Sequence, residues 1–176
     1  QILGVNMVSS VALAMARACE PAEPGVMGRP RRPRGEPLLS GFLLWRVALV
    51  SALFFAAILG IFAWSVRHGA TPEEARTYAV NTLVLLEVVY LFSIRYLHAS
   101  SLSRSGLRIP RAVAVAVLVV IALQLVFTYA PFMAAFFDTR PIDLLHGAEV
   151  LGIGVLVFLL LEGEKWWRRR TGWGMR

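Results

Sequence analysis

Cysteine is nearly absent. Cys19 is the only one in 176 residues, so no disulfide can form within the chain, and the compartment's redox state stays open. Charge is scarce as well: Asp, Glu, Lys and Arg make up 16% of the residues. There is no nucleophile–base set, no zinc-spaced Cys/His cluster, no glycine-rich phosphate loop and no internal repeat. These absences exclude a self-contained enzyme, so any energy source must lie in another part of the protein or in another subunit. The initiating Met is missing too, and no basic n-region precedes the first apolar run, so no signal peptide is visible. Gln1 reads as a cut inside a longer chain. The run Ile2 to Ala16 is too short for a complete span, so part of its helix is expected upstream.

What is present is apolar. Hydrophobic residues make up 57% of the chain and the mean hydropathy is +0.65, values that point to a membrane protein. A bilayer core needs about 20 apolar residues of helix. Four runs after the first reach about that length: Val47 to Val66, Thr77 to Ile94, Ala112 to Met133 and Leu144 to Leu161. The expected fold is an all-α polytopic transmembrane bundle of five spans with the first truncated. Its helices are expected over about residues 1–18, 42–66, 76–97, 111–133 and 143–165, with a cytoplasmic Pro/Arg loop over 19–41.

The net charge of +7 is unevenly distributed. Alternating spans put 15 of the 18 Lys and Arg on one side, leaving Arg67, Arg76 and Arg140 opposite. The positive-inside rule makes the majority side cytoplasmic, with the C-terminus inside. The basic charge is therefore a topology signal and no nucleic-acid partner is expected. Trp45, Trp64, Tyr78, Tyr96, Trp166 and Trp167 fall near span ends, where interfacial aromatics sit against membrane lipid. The loop EPAEPGVMGRPRRPRGEPLLSG is rich in Pro and reads as extended. It is either a linker or a strut docked on another cytoplasmic element.

Polar residues inside spans carry the functional information. Glu87 lies near the middle of its run, where a charge costs about 2.5–3.5 kcal/mol and should face protein, water or an ion. Tyr90 and Leu91 share its face, and Asn81 does not. Asn6, Ser9 and Ser10 crowd one face of the first helix by their three- and four-residue spacing. Their oxygens suit either helix–helix hydrogen bonding or, with a carboxylate, a hard cation such as Ca²⁺ or Na⁺. Gln124 and Thr128 form a further polar stripe that reads as packing. His146 and Glu149 are spaced to pair near the outer mouth of the last span. His68 and His98 read as interface or loop residues, and Cys19 has no visible partner.

The run ILGVNMVSSVALAMARACEPAEPGVMGRPRRPRGEPLL resembles the sixth membrane helix and following loop of second-class P-type cation-transporting ATPases. That family carries Asn-x-x-Thr/Ser-Asp in the helix and a loop of the form EPPEPxxMxRPPRxPxEPL. Asn6 and Ser9 match the first two ligand positions. Glu20, Pro21, Glu23, Pro24, Met27, Arg29, Pro30, Pro33, Glu36 and Pro37 match the loop. The span with TLVLLE is similar to the eighth helix, and FTYAPFMAAFFDTRPIDLLHGAEVLGIG to the junction of the ninth and tenth.

The resemblance covers the whole chain, residues 1–176, as a C-terminal membrane domain of the calcium-pump-like bacterial branch. It implies an ATP-driven pump in the intact protein, with ATP and Mg²⁺ bound in cytoplasmic domains upstream of Gln1. It also implies a cation site, built here from Asn6, Ser9, Ser10 and Glu87, in a bacterial plasma membrane. Ca²⁺ is the first cation implied. Ser10 stands at the family's Asp position, and losing that carboxylate weakens divalent binding. Bacterial members of this branch often lack the Asp. Two other functions stay open on the residues alone: a non-enzymatic membrane subunit, and a secondary transporter with Glu87 as proton relay.

Overall fold

The computed structural model describes residues 41–95, 111–137 and 139–171, with helical positions at Met7, Ser10, Val11, Ala14 and Ala18. Asn6, Ser9, Cys19, His98 and the Pro/Arg loop lie outside the described residues. Among the longer described segments there are five helices: α1 (Gly41–Arg67), α2 (Pro72–Arg95), α3 (Arg111–Tyr129), α4 (Pro131–Phe137) and α5 (Leu144–Thr171). No strand occurs among the described residues.

Helix α1 is apolar on nearly every face, as a helix bathed in lipid must be. Its end is built by a glycine. Gly69 has φ of +89°, its N–H donates to the Val66 carbonyl at 3.2 Å, and the Ala70 N–H donates to Ser65 at 3.0 Å. Those two bonds form a Schellman motif, which satisfies carbonyls that the helix end leaves open. Two residues later Thr71 starts α2. The Thr71 N–H donates to Glu74 Oε2 at 2.8 Å, and the Glu74 N–H donates to Thr71 Oγ1 at 3.3 Å. This is a reciprocal capping box with Pro72 at the first helical position. The cap starts α2 at Pro72, ahead of the residue 76 expected from hydropathy.

The fourth expected span is not one straight helix. Residues Val113–Tyr129 and Pro131–Phe137 meet at 72°. Pro131 has no N–H to give the Phe127 carbonyl, and its ring crowds that carbonyl, so the helix breaks at Ala130. Thr139 Oγ1 donates to the Phe127 oxygen instead, at 3.2 Å. The last helix runs past residue 165 to Thr171, so Arg168 belongs to it as well as Lys165.

Helix α2 is the central element. Half of its apolar stretch is buried, against 11% for α1. One side packs Val84, Val88 and Leu91 on Val113 and Val120 of α3. The other side packs Leu86 between Val157 and Leu161 of α5 and Phe54, Ala57 and Ile58 of α1. A Cβ at Gly154 would lie 2.6 Å from Leu85 Cδ2, so glycine lets α5 approach α2 closely. The start of α1, the end of α2 and the end of α5 share one end of the bundle, through Arg46, Ser93 and Glu164. Tyr78 of α2 stacks on His146 of α5 at the other end. Helices α2 and α5 are therefore parallel, and α1 is antiparallel to both. Among the described residues three helices are long and apolar enough to cross a membrane, or four with the bent pair, and the chain is an integral membrane protein.

Candidate functional site

Glu87 lies between two polar ends of α2. Six residues, about 9 Å of helix, separate it from Asn81 on one side and from Ser93 on the other. It is half-buried in an otherwise apolar stretch. The two residues expected on its face flank it: Leu91 turns into the α3 contact, and Tyr90 meets Phe54 of α1 edge-on at 6.1 Å. Glu87 thus occupies the angle between the α1 and α3 contacts. Of its expected partners, Asn6 and Ser9 lie outside the described residues. Ser10 is helical and exposed. No group of three or more His, Cys, Asp or Glu able to hold a metal occurs among the described residues.

The end of α2 nearer Thr77 is a neutral hydrogen-bond seam. Asn81 Nδ2 donates to the Thr77 carbonyl at 2.9 Å, and Asn81 Oδ1 accepts from Thr128 Oγ1 at 3.1 Å. The Arg140 N–H donates to Thr77 Oγ1 at 3.2 Å. Thr128 therefore does more than pack: it ties α3 to α2 just before the Pro131 break. His146 and Glu149 do not pair. The His146 ring stacks on Tyr78 with centroids 4.8 Å apart, while its Nδ1 and Glu149 Oε2 are buried without a hydrogen-bond partner. His68 lies in the turn after α1, its ring tilted against that of Trp64 and bonded through Nδ1 to the Trp64 carbonyl.

The opposite end is ionic, and sequence reasoning missed it. Arg46 is buried and donates from Nη1 to Glu164 Oε2 at 2.5 Å and from Nη2 to Ser93 Oγ at 3.3 Å. Glu164 also pairs with Arg168 at 2.5 Å. Lys165 pairs with Glu162 and donates to the Ser93 carbonyl at 3.1 Å. That carbonyl is one of the open acceptors at the end of α2, where a cation also suits the helix dipole. Three cations that read as topology markers are thus drawn inside and paired. The spacings Glu162/Lys165 and Glu164/Arg168 were the available signal, together with one Arg in FLLWRVALV.

The family described as "Cation transporting ATPase, C-terminus" matches residues 1–167. A "Probable cation-transporting ATPase F" of Mycobacterium tuberculosis is 38% identical over 164 residues, 93% of this chain and 18% of that protein. A "Calcium-transporting ATPase" of Bacillus subtilis is 33% identical over 174 residues, 97% of this chain and 19% of that protein. A cation-transporting ATPase of Synechocystis is 36% identical over 148 residues, 81% of this chain and 16% of that protein. The chain spans less than a fifth of the length of these relatives. It belongs to the family of P-type cation-transporting ATPases, as part of their C-terminal membrane region.

Proposed function

We propose that this chain contributes part of the intramembrane cation site of an ATP-driven pump, with Glu87 as its charged ligand. The observation that carries the reading is a half-buried carboxylate midway along the central span. A charge at that depth is costly unless a counter-charge or polar partners compensate it. In the intact protein Asn6, Ser9 and Ser10 would add neutral oxygens from the preceding helix. Upstream helices would complete the shell. ATP and Mg²⁺ would act in cytoplasmic domains, and phosphorylation there would alternate access to the site. The chemistry suits a hard cation. Ca²⁺ is the first candidate, supported by the relatives named as calcium-transporting ATPases. The ionic end of the bundle would face the cytoplasm of a bacterial plasma membrane, with the C-terminus inside.

The test is ATP hydrolysis by the full-length protein in sealed vesicles, measured across Ca²⁺, Na⁺, K⁺ and Mn²⁺. The reading predicts stimulation by one cation and uptake that needs ATP and survives an uncoupler. Uptake that ignores ATP and collapses with the proton gradient would contradict it.

A further inference from the structure

The ionic end of the bundle sorts its cations into two groups. Arg46, Lys165 and Arg168 are buried and are matched by Glu162 and Glu164. Arg170 is exposed, and no carboxylate of the described residues pairs with it. Its guanidinium lies over the ring of Trp166, 4.1 Å from the centroid. Trp166 is 51% exposed and Trp167 is 53% exposed, both just beyond the apolar run of α5. Aromatics at that position sit at headgroup depth.

We propose that Arg170 and Trp166 form a binding site for the phosphate of an anionic phospholipid. The ring contact engages the guanidinium without using its N–H groups as donors to any carboxylate of the described residues. Those groups form the fork that fits two phosphate oxygens. The internal acids are already engaged with Arg46, Lys165 and Arg168, so they do not compete for Arg170. Both indole rings also carry an N–H suited to the polar side of the interface. A choline headgroup is disfavoured, because its quaternary ammonium would lie beside the Arg170 guanidinium and the two like charges repel. A net-negative headgroup, such as phosphatidylglycerol, is therefore the occupant. The site does not depend on which cation the protein moves.

The test uses full-length protein in nanodiscs of equal parts phosphatidylglycerol and phosphatidylcholine. Lipids retained after detergent extraction are counted by native mass spectrometry. The wild type should retain phosphatidylglycerol about five-fold over phosphatidylcholine, the scale expected for one Arg at an anionic surface. Arg170→Gln should remove the preference. Arg170→Lys, which keeps the charge without the planar fork, should fall between. Arg111→Gln serves as the control, because Arg111 is also exposed at this end and stacks on no ring among the described residues. It should leave the preference intact. Equal retention of both lipids by the wild type would overturn the proposal. So would an unchanged preference in Arg170→Gln, or an equal loss in Arg111→Gln, which would mean diffuse charge alone.

Discussion

The hydroxyl of Thr139 donates to the carbonyl of Phe127, the acceptor that Pro131 leaves open in the helix before it. Two residues 12 apart thus repair one broken backbone bond, and Thr139 is buried. Thr139→Val should destabilise the full-length protein by about 1–3 kcal/mol, the cost of stranding a buried acceptor. The dependence on Pro131 is testable. In a Pro131→Ala background the restored N–H can serve Phe127, so the Thr139→Val penalty should shrink. Thermal unfolding of the four variants in detergent checks this. Additive penalties would show that the two residues act independently.

Arg46 and Glu164 join α1 to α5 within a buried ionic group. Removing one partner strands the other charge, at a cost of about 3–5 kcal/mol. Arg46→Met or Glu164→Gln alone should therefore sharply lower the unfolding temperature. Glu164→Gln should be the worse of the two, because Glu164 also serves Arg168. If Arg46→Met leaves the melting curve unmoved, the pair contributes nothing to holding the helices together.

Gly154 allows α5 to pass close to Leu85. Gly154→Ala should cost about 1–3 kcal/mol by overpacking, because a Cβ there would lie 3.0 Å from Leu85 Cγ as well as close to the Cδ2 methyl. Leu85→Ala should relieve that penalty in the double variant. The melting temperatures of the two single variants and the double variant decide it. Penalties that simply add in the double variant would mean that the two sites are not in contact.

The Asn81–Thr128 bond ties α2 to α3 within the apolar region. Thr128→Val should cost about 0.6–2 kcal/mol, the usual scale for an interhelical hydrogen bond in a membrane. It should leave the cation dependence of ATP hydrolysis unchanged, since Asn81 is about 9 Å along the helix from Glu87. A changed cation affinity in Thr128→Val would bring this seam into the transport site.

Hydropathy made the spans legible, because a helix in lipid must be apolar over a fixed length. It did not fix where they end. The start of α2 is set by a two-residue exchange of hydrogen bonds between Thr71 and Glu74, which TPEE spells out but an apolar-run count passes over. The Ala130 break follows from Pro131, also visible, but masked by the apolar residues on both sides of it. The ionic end was not legible from charge alone: Arg46, Lys165 and Arg168 look like any cytoplasmic cations until three helix ends meet. His146 and Glu149 had the spacing to pair, yet Tyr78 from another helix takes the His146 ring face. Glu87 stood out at once, since a lone carboxylate in mid-span has few explanations. The partners proposed for it, on the preceding helix and on helices upstream, are beyond what spacing along α2 can show.

The most direct test of the account is the cation dependence of ATP hydrolysis by full-length protein carrying Glu87→Gln. The substitution keeps the size and removes the charge. If Glu87 holds the transported cation, half-maximal stimulation should need about ten-fold more of it, with the unfolding temperature little changed. An unaltered titration curve would contradict the account and leave Glu87 a structural residue of α2.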